Sequence, residues 1–267
     1  MKNLVNRTMC FMVFAAAALT FFSCSDDDGA TEIEQDQKVT QAELKTILEV
    51  DELSGVADDV VTELFEADKS GKAAKLNNEC YEATYTETGF TVTFADCSVE
   101  SGENLDGSLS VVYGVEGSDY AFTVTYDNLM VDGIKIDGTR SFAISGNEEE
   151  SSVSFIIASN MIITMTDGAV ISEEGNKTIA IVFGEEFGDG ALTIDGKWVV
   201  KADGNTYSVD VSKLLEAQFG CDYIGKGLML LNKNGLEVSV DFGDGGCDDS
   251  ASVIYPDGTT EDFTLDK

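Results

Sequence analysis

Cys24 is the residue whose surroundings point most directly to chemistry. It follows Phe21-Phe22-Ser23, at the end of an apolar run from Met9 to Phe22 that is preceded by Lys2 and Arg7. A basic start, a short apolar stretch and a small residue before the cut form a secretion signal. A cysteine directly after that small residue is a lipidation acceptor. Residues 1–23 therefore read as a lipoprotein signal peptide, with Cys24 the lipidated (palmitate-type) first residue of the mature chain. The run falls short of the about 20 apolar residues of a membrane span.

The acidic loops are the next candidates. Asp241-Phe242-Gly243-Asp244-Gly245-Gly246-Cys247-Asp248-Asp249 puts four carboxylates, Asp241, Asp244, Asp248 and Asp249, in one glycine-rich stretch. Glu185, Glu186 and Asp189 cluster near Gly188 and Gly190. Oxygen-rich flexible loops suit calcium. Neither stretch has the DxDxDG spacing, and Asp-Gly turns anchored by a disulfide account for the same residues. The turn reading is preferred, calcium stays a weak candidate, and no other cofactor is expected.

Other chemistries are excluded more firmly. The chain has no histidine, which removes Ser-His-Asp and Cys-His triads and the usual zinc sites. It has no GxxxxGK[ST] loop and no strand-GxGxxG-helix. A carboxylate pair of the glycosidase kind remains conceivable, but among 50 acids the sequence nominates none. The expectation is a protein that is not an enzyme. Trp198, at a strand start, reads as a sheet-packing residue before a ligand platform.

Beyond Cys10 in the signal and Cys24, four cysteines remain: Cys80, Cys97, Cys221 and Cys247. An even number in an exported chain argues for two disulfides. Four cysteines allow three pairings. The local ones, Cys80–Cys97 and Cys221–Cys247, are preferred because each pair falls on neighbouring predicted strands. No CxxC spacing supports metal ligation.

Once residues 1–23 leave with Lys2 and Arg7, 14 bases face 50 acids, a net charge of −36. Such a surface repels nucleic acid phosphates and anionic headgroups. It keeps an exposed β protein soluble and its strand edges unpaired. The membrane is then a partner only through the lipid.

These residues must be held by a scaffold whose outline is visible. Residues 24–39 are acidic and aperiodic, a tether. Residues 40–72 are the one helical region. Thr40-Gln41-Ala42-Glu43 is a capping box, Leu44, Ile47 and Leu48 follow at helical spacing, and Leu53, Val56, Val60 and Leu64 give a second short helix. Residues 73–267 form the β domain. Tyr120, Phe122, Val124 and Tyr126 alternate with polar residues, as do Val153, Phe155 and Ile157; Ile179, Ile181 and Phe183; Tyr207, Val209 and Val211; and Leu236, Val238, Val240 and Phe242. Such alternation means antiparallel strands with one dry face. Ala202-Asp203-Gly204-Asn205 and Asn232-Lys233-Asn234-Gly235 are turns. The expected fold is mainly β: a short N-terminal helical pair, then an antiparallel meander arranged as a curled sheet, half-barrel or sandwich. Gly107, Gly138, Gly168, Gly196 and Gly225, spaced 31, 30, 28 and 29 residues apart, outline a hairpin repeat, although Asp-Gly occurs ten times in all.

The C-terminal run Gly220-Cys221-Asp222 … Asp241-Phe242-Gly243-Asp244-Gly245-Gly246-Cys247-Asp248 … Pro256-Asp257-Gly258 … Leu265 resembles a group of uncharacterised Bacteroidota surface lipoproteins that end in a Cys … DFGDGxCD … G … L pattern. Gly246 stands where the pattern leads one to expect Thr. Cys80 … Thr91-Val92-Thr93-Phe94 … Cys97 and Phe122-Thr123-Val124-Thr125-Tyr126 are similar to the same group. The resemblance implies a lipid-anchored β protein with these cysteines paired, and carries over no functional residues. Ser25-Asp26-Asp27-Asp28 resembles the acidic export signal of such lipoproteins, which sends them to the outer face of the outer membrane. Asp249-Ser250-Ala251 resembles an O-glycosylation acceptor of the same bacteria. The expected function is that of a lipid-anchored, surface-exposed, non-enzymatic binding or scaffold protein, with a glycan or protein partner at the cell surface. The alternatives are a carrier holding an apolar ligand in a curved sheet and, behind it, a carbohydrate-active enzyme.

Overall fold

The structure is a computed structural model that describes residues 38–48, 50, 61, 80–98, 104–114, 121–147, 151–184 and 189–265. The signal peptide, Cys24, most of the tether and Glu185 and Glu186 lie outside these residues. After a helix, α1 (residues 41–48), the chain forms β1 (Tyr81–Thr86), β2 (Gly89–Ser98), β3 (Asn104–Tyr113), β4 (Ala121–Val131), β5 (Ile134–Asn147), β6 (Ser152–Thr164), β7 (Val170–Phe183), β8 (Gly190–Ala202), β9 (Asn205–Gln218), β10 (Lys226–Lys233), β11 (Leu236–Asp244), β12 (Ser250–Ile254) and β13 (Thr260–Thr264). Each strand pairs antiparallel with the next, and strand order in the sheet is chain order. The result is one open 13-stranded sheet, not closed into a barrel and not the two separate sheets of a sandwich.

The alternation seen in the sequence sets the faces. Phe122, Val124 and Tyr126, then Tyr207, Val209 and Val211, then Val238, Val240 and Phe242 are all buried. Two-residue turns hold the register: Asp132-Gly133, Asp203-Gly204 and Asn234-Gly235 all have positive φ at both positions. That geometry matches strand twist and suits Asn and Gly.

The dry face carries two apolar clusters. One spans β2 to β6 and includes Val61; the other spans β6 to β13 and includes Val39, Leu44, Ile47 and Val50. Helix α1 thus packs on the C-terminal half of the sheet. Its capping box forms: the Glu43 amide donates to Thr40 Oγ1 at 3.2 Å, and the Thr40 amide donates to Glu43 Oε2 at 2.8 Å. The second expected helix lies outside the described residues except for Val61, which is helical and buried.

The five glycines of the apparent repeat do different jobs. Gly107, Gly138 and Gly196 lie inside strands, with φ of 97°, 127° and 138°. Gly168 sits in the β6–β7 turn, and Gly225 in the loop before β10. The near-30 spacing follows from the length of successive hairpins. At Gly138 a Cβ would stand 2.2 Å from the Asn160 carbonyl oxygen of the neighbouring strand. Gly138→Ala is therefore expected to cost about 2 kcal/mol or more, from positive φ and steric overlap together. A thermal melt beside Gly168→Ala, where a Cβ meets nothing within 4 Å, checks it.

Candidate functional site

The acidic loop closes onto the chain before β10. Cys221–Cys247 joins them, with Cα atoms 5.3 Å apart, and Cys80–Cys97 ties the start of β1 to β2 at 4.9 Å. Both expected pairings are present. Cys221 and Cys247 do not lie on the neighbouring strands expected but in the loops flanking β10 and β11. Between these loops and β12 is an open polar cleft of about 490 Å³ lined by Asp241, Asp244, Asp248, Ser250 and Ser252.

Three of the four calcium candidates thus line one cleft, but their carboxylates do not converge. Asp241 Oδ1 accepts the Gly243 amide at 2.9 Å, and Asp248 Oδ1 accepts the Ser250 amide at 3.0 Å. Each carboxylate is folded back on its own turn. Asp249 is not among the lining residues; its carbonyl instead accepts the Leu265 amide at 2.6 Å. Among the described residues no three acidic or cysteine side chains converge to hold a metal ion. Ser250 is exposed at the start of β12.

A second polar group lies on the dry face of the central strands, and sequence reasoning missed it. Glu173 and Lys177 on β7 are 3% exposed each and paired at 2.9 Å. Lys177 Nζ stands 4.4 Å from the centre of the Trp198 ring. Arg140 and Ser159 share this face through the pairing Arg140–Ser159–Gly175–Trp198 across β5 to β8. Trp198 is buried, as a sheet-packing residue should be, but its Nε1 has no hydrogen-bond partner among the described residues. A buried orphan donor is uncommon. A β7 reading Ile171-Ser172-Glu173-Glu174-Gly175-Asn176-Lys177 gives no hint of which charges turn inward.

The third polar group fastens α1. Lys233 Nζ donates to the Lys38 carbonyl at 2.6 Å and to Glu43 Oε2 at 3.0 Å; the Tyr207 hydroxyl donates to Glu43 Oε1 at 2.7 Å. Burial works to raise the Glu43 carboxyl, but the Thr40 amide, Tyr207 and Lys233 together hold it below its ordinary value. Burial, with Glu43 beside it, pushes the Tyr207 phenol well up, so it stays a donor. Tyr255 is pushed up to about 12 by burial and by Glu261. Lys38 pairs with Glu261, and Gln41 donates to the Thr264 carbonyl at 2.7 Å. The segment entering α1 is thus fastened beside β13.

No family model, curated protein or solved structure matches the chain. No described helix is long and apolar enough to cross a membrane.

Proposed function

We propose that the chain is a lipid-anchored, surface-exposed, non-enzymatic binding or scaffold protein of the Bacteroidota lipoprotein group that its cysteine and DFGDG pattern resembles. The observation that carries this is Cys24 behind a signal-like segment and ahead of Ser25-Asp26-Asp27-Asp28. Thirteen residues, 25–37, separate Cys24 from Lys38. At most about 3.5 Å per residue, that tether is ample to lift a domain clear of lipid headgroups. The fastening of Lys38, Gln41 and Glu43 to β9–β13 supports the reading, since it gives the tether a rigid attachment. In the finer fold proposed here, the helical region 40–72 holds a second short helix after α1, and the open sheet curls as a half-barrel.

One observation favours a second reading, a carrier of an apolar ligand. Phe183 and Leu192 follow the parity of Lys177 and Trp198, and they are 49% and 36% exposed; Phe219 beside them is 42% exposed. Protease added to intact cells tests the primary reading, with a periplasmic protein as control. Loss of this protein while the control survives is the expected result. Full protection of a domain that is cleavable when purified overturns the surface placement and puts the carrier first.

A further inference from the structure

The outward face of β1–β5 is paved with hydroxyls. Each strand contributes two, one residue apart: Thr84 and Thr86, Thr91 and Thr93, Ser108 and Ser110, Thr123 and Thr125, Thr139 and Ser141. The residues between them hold the parity, with Val92, Leu109, Val124 and Arg140 buried and Tyr85 partly so. The register aligns one of each pair in a single row: Thr84–Thr91–Ser110–Thr125–Thr139. Neighbours in the row are about 4.8 Å apart, and the two hydroxyls of a strand about 6.7 Å.

Two features set this array apart from an ordinary wet face. First, it is uncharged at all ten positions in a chain with 50 acids. The aligned row itself meets charge only beyond β6, at Glu174 and Glu237; of the rows beside it, one reaches Lys197 and Asp210 beyond β6, and the other carries Glu82 opposite Thr93 and Asp127 opposite Ser108. Second, its hydroxyls are largely unspent. Thr123 and Ser141 bond each other at 2.9 Å, Thr86 donates to the Gly89 carbonyl and Ser108 to the Asp127 carbonyl. The other six make no such bond among the described residues.

We infer that this face is a docking surface for a neutral polysaccharide. The inference rests on the surface-exposed reading above and names the partner class for it. A polyanion is repelled by the net charge, and a polycation is drawn to the acid-rich loops instead. A neutral polyol matches what the array offers. Threonine presents a hydroxyl that both donates and accepts, beside a methyl group, on a side chain with restricted χ1. A sugar presents hydroxyls and C–H groups in the same alternation. Exchanging water for a ligand hydroxyl gains little per bond, so one sugar is held poorly. A polymer laid along the row engages several positions at once on a surface that needs no ordering.

The test is co-sedimentation of the full chain, in mild detergent, with insoluble starch, cellulose and mannan. The expected result is retention on at least one, unaffected by 1 M salt and not reversed by the monosaccharide. A variant carrying Thr91→Val, Thr125→Val and Thr139→Val keeps shape and strand propensity; its retention should fall at least 10-fold with the melting temperature unchanged. Ser208→Ala with Ser239→Ala, outside the array, should bind as the parent does. No retention on any of the three polymers, release by salt, or equal binding by the triple variant overturns the inference. Because purified protein is used, these outcomes are independent of protease access on cells, so either reading can fail alone.

Discussion

Lys177→Met is expected to destabilise this protein by about 3–5 kcal/mol, the range for breaking a buried ion pair by removing one partner. The pair is unusual for its spacing. Glu173 and Lys177 are four residues apart on β7, and four residues of strand span about 13 Å. Both side chains must lean toward each other over Gly175 to meet at 2.9 Å. Gly175 permits this because nothing could stand there: a Cβ would lie 2.4 Å from the Trp198 Cα on β8. The ammonium then sits over the Trp198 ring, a desolvated cation–π contact. Removing it deletes the ion pair that the Glu173 carboxylate makes at 2.9 Å within the sheet. The converse substitution, Glu173→Gln, removes the same pair from the other side. Glu173→Met with Lys177→Met removes both charges, and its loss should be smaller than that of Lys177→Met alone. Urea unfolding midpoints read all three. A cost below about 1 kcal/mol for Lys177→Met would show that the pair is solvated in practice.

This pair also marks where the sequence stops being legible. Apolar alternation identified the dry faces of β4, β9 and β11, because a solvated neighbour stands between each pair of apolar residues there. Asn234-Gly235 and Asp203-Gly204 announced their turns through the backbone conformation those residues favour. The capping box was readable for a similar reason: Thr40 and Glu43 satisfy each other's amides locally. On β7 the rule inverts. Glu173 and Lys177 face inward while Glu174 faces outward, and only the partner strand decides which. The loop at 241–249 admits two readings on paper, calcium and turn chemistry, and the absent DxDxDG spacing favours the turns. The carboxylates of Asp241 and Asp248 cap amides two residues ahead, a contact that needs no metal. The hydroxyl array lay in plain view as Thr-Val-Thr repeats, but its alignment depends on register across five strands, which no single strand encodes.

The attachment of α1 should show itself in acid. Glu43 is held below its ordinary carboxyl value in the folded protein, so as pH falls the unfolded chain takes up this proton first. Its contribution is therefore complete above the unfolded value, about 4.5, and is lost as pH falls through the lower folded value. A bare stability-versus-pH curve will not isolate this, because protonating many acids also relieves the self-repulsion of a highly negative chain. The difference between the parent and Glu43→Gln removes that common background. It should be constant from pH 7 to about 5 and shrink steadily below about 4.5. Lys233→Met strikes the same cluster harder. It deletes the bonds to Glu43 and to the Lys38 carbonyl, and leaves a carboxylate only 19% exposed without its cation. A loss of about 2–3 kcal/mol is expected at pH 7, in the range for hydrogen bonds to charged groups. The acid-dependent part should also move to higher pH, since the cation that held the carboxyl down is gone. A parent-minus-variant difference that stays flat through pH 4 would mean that Glu43 gains nothing from its partners, and that apolar packing of Leu44, Ile47 and Val50 alone keeps α1 on the sheet.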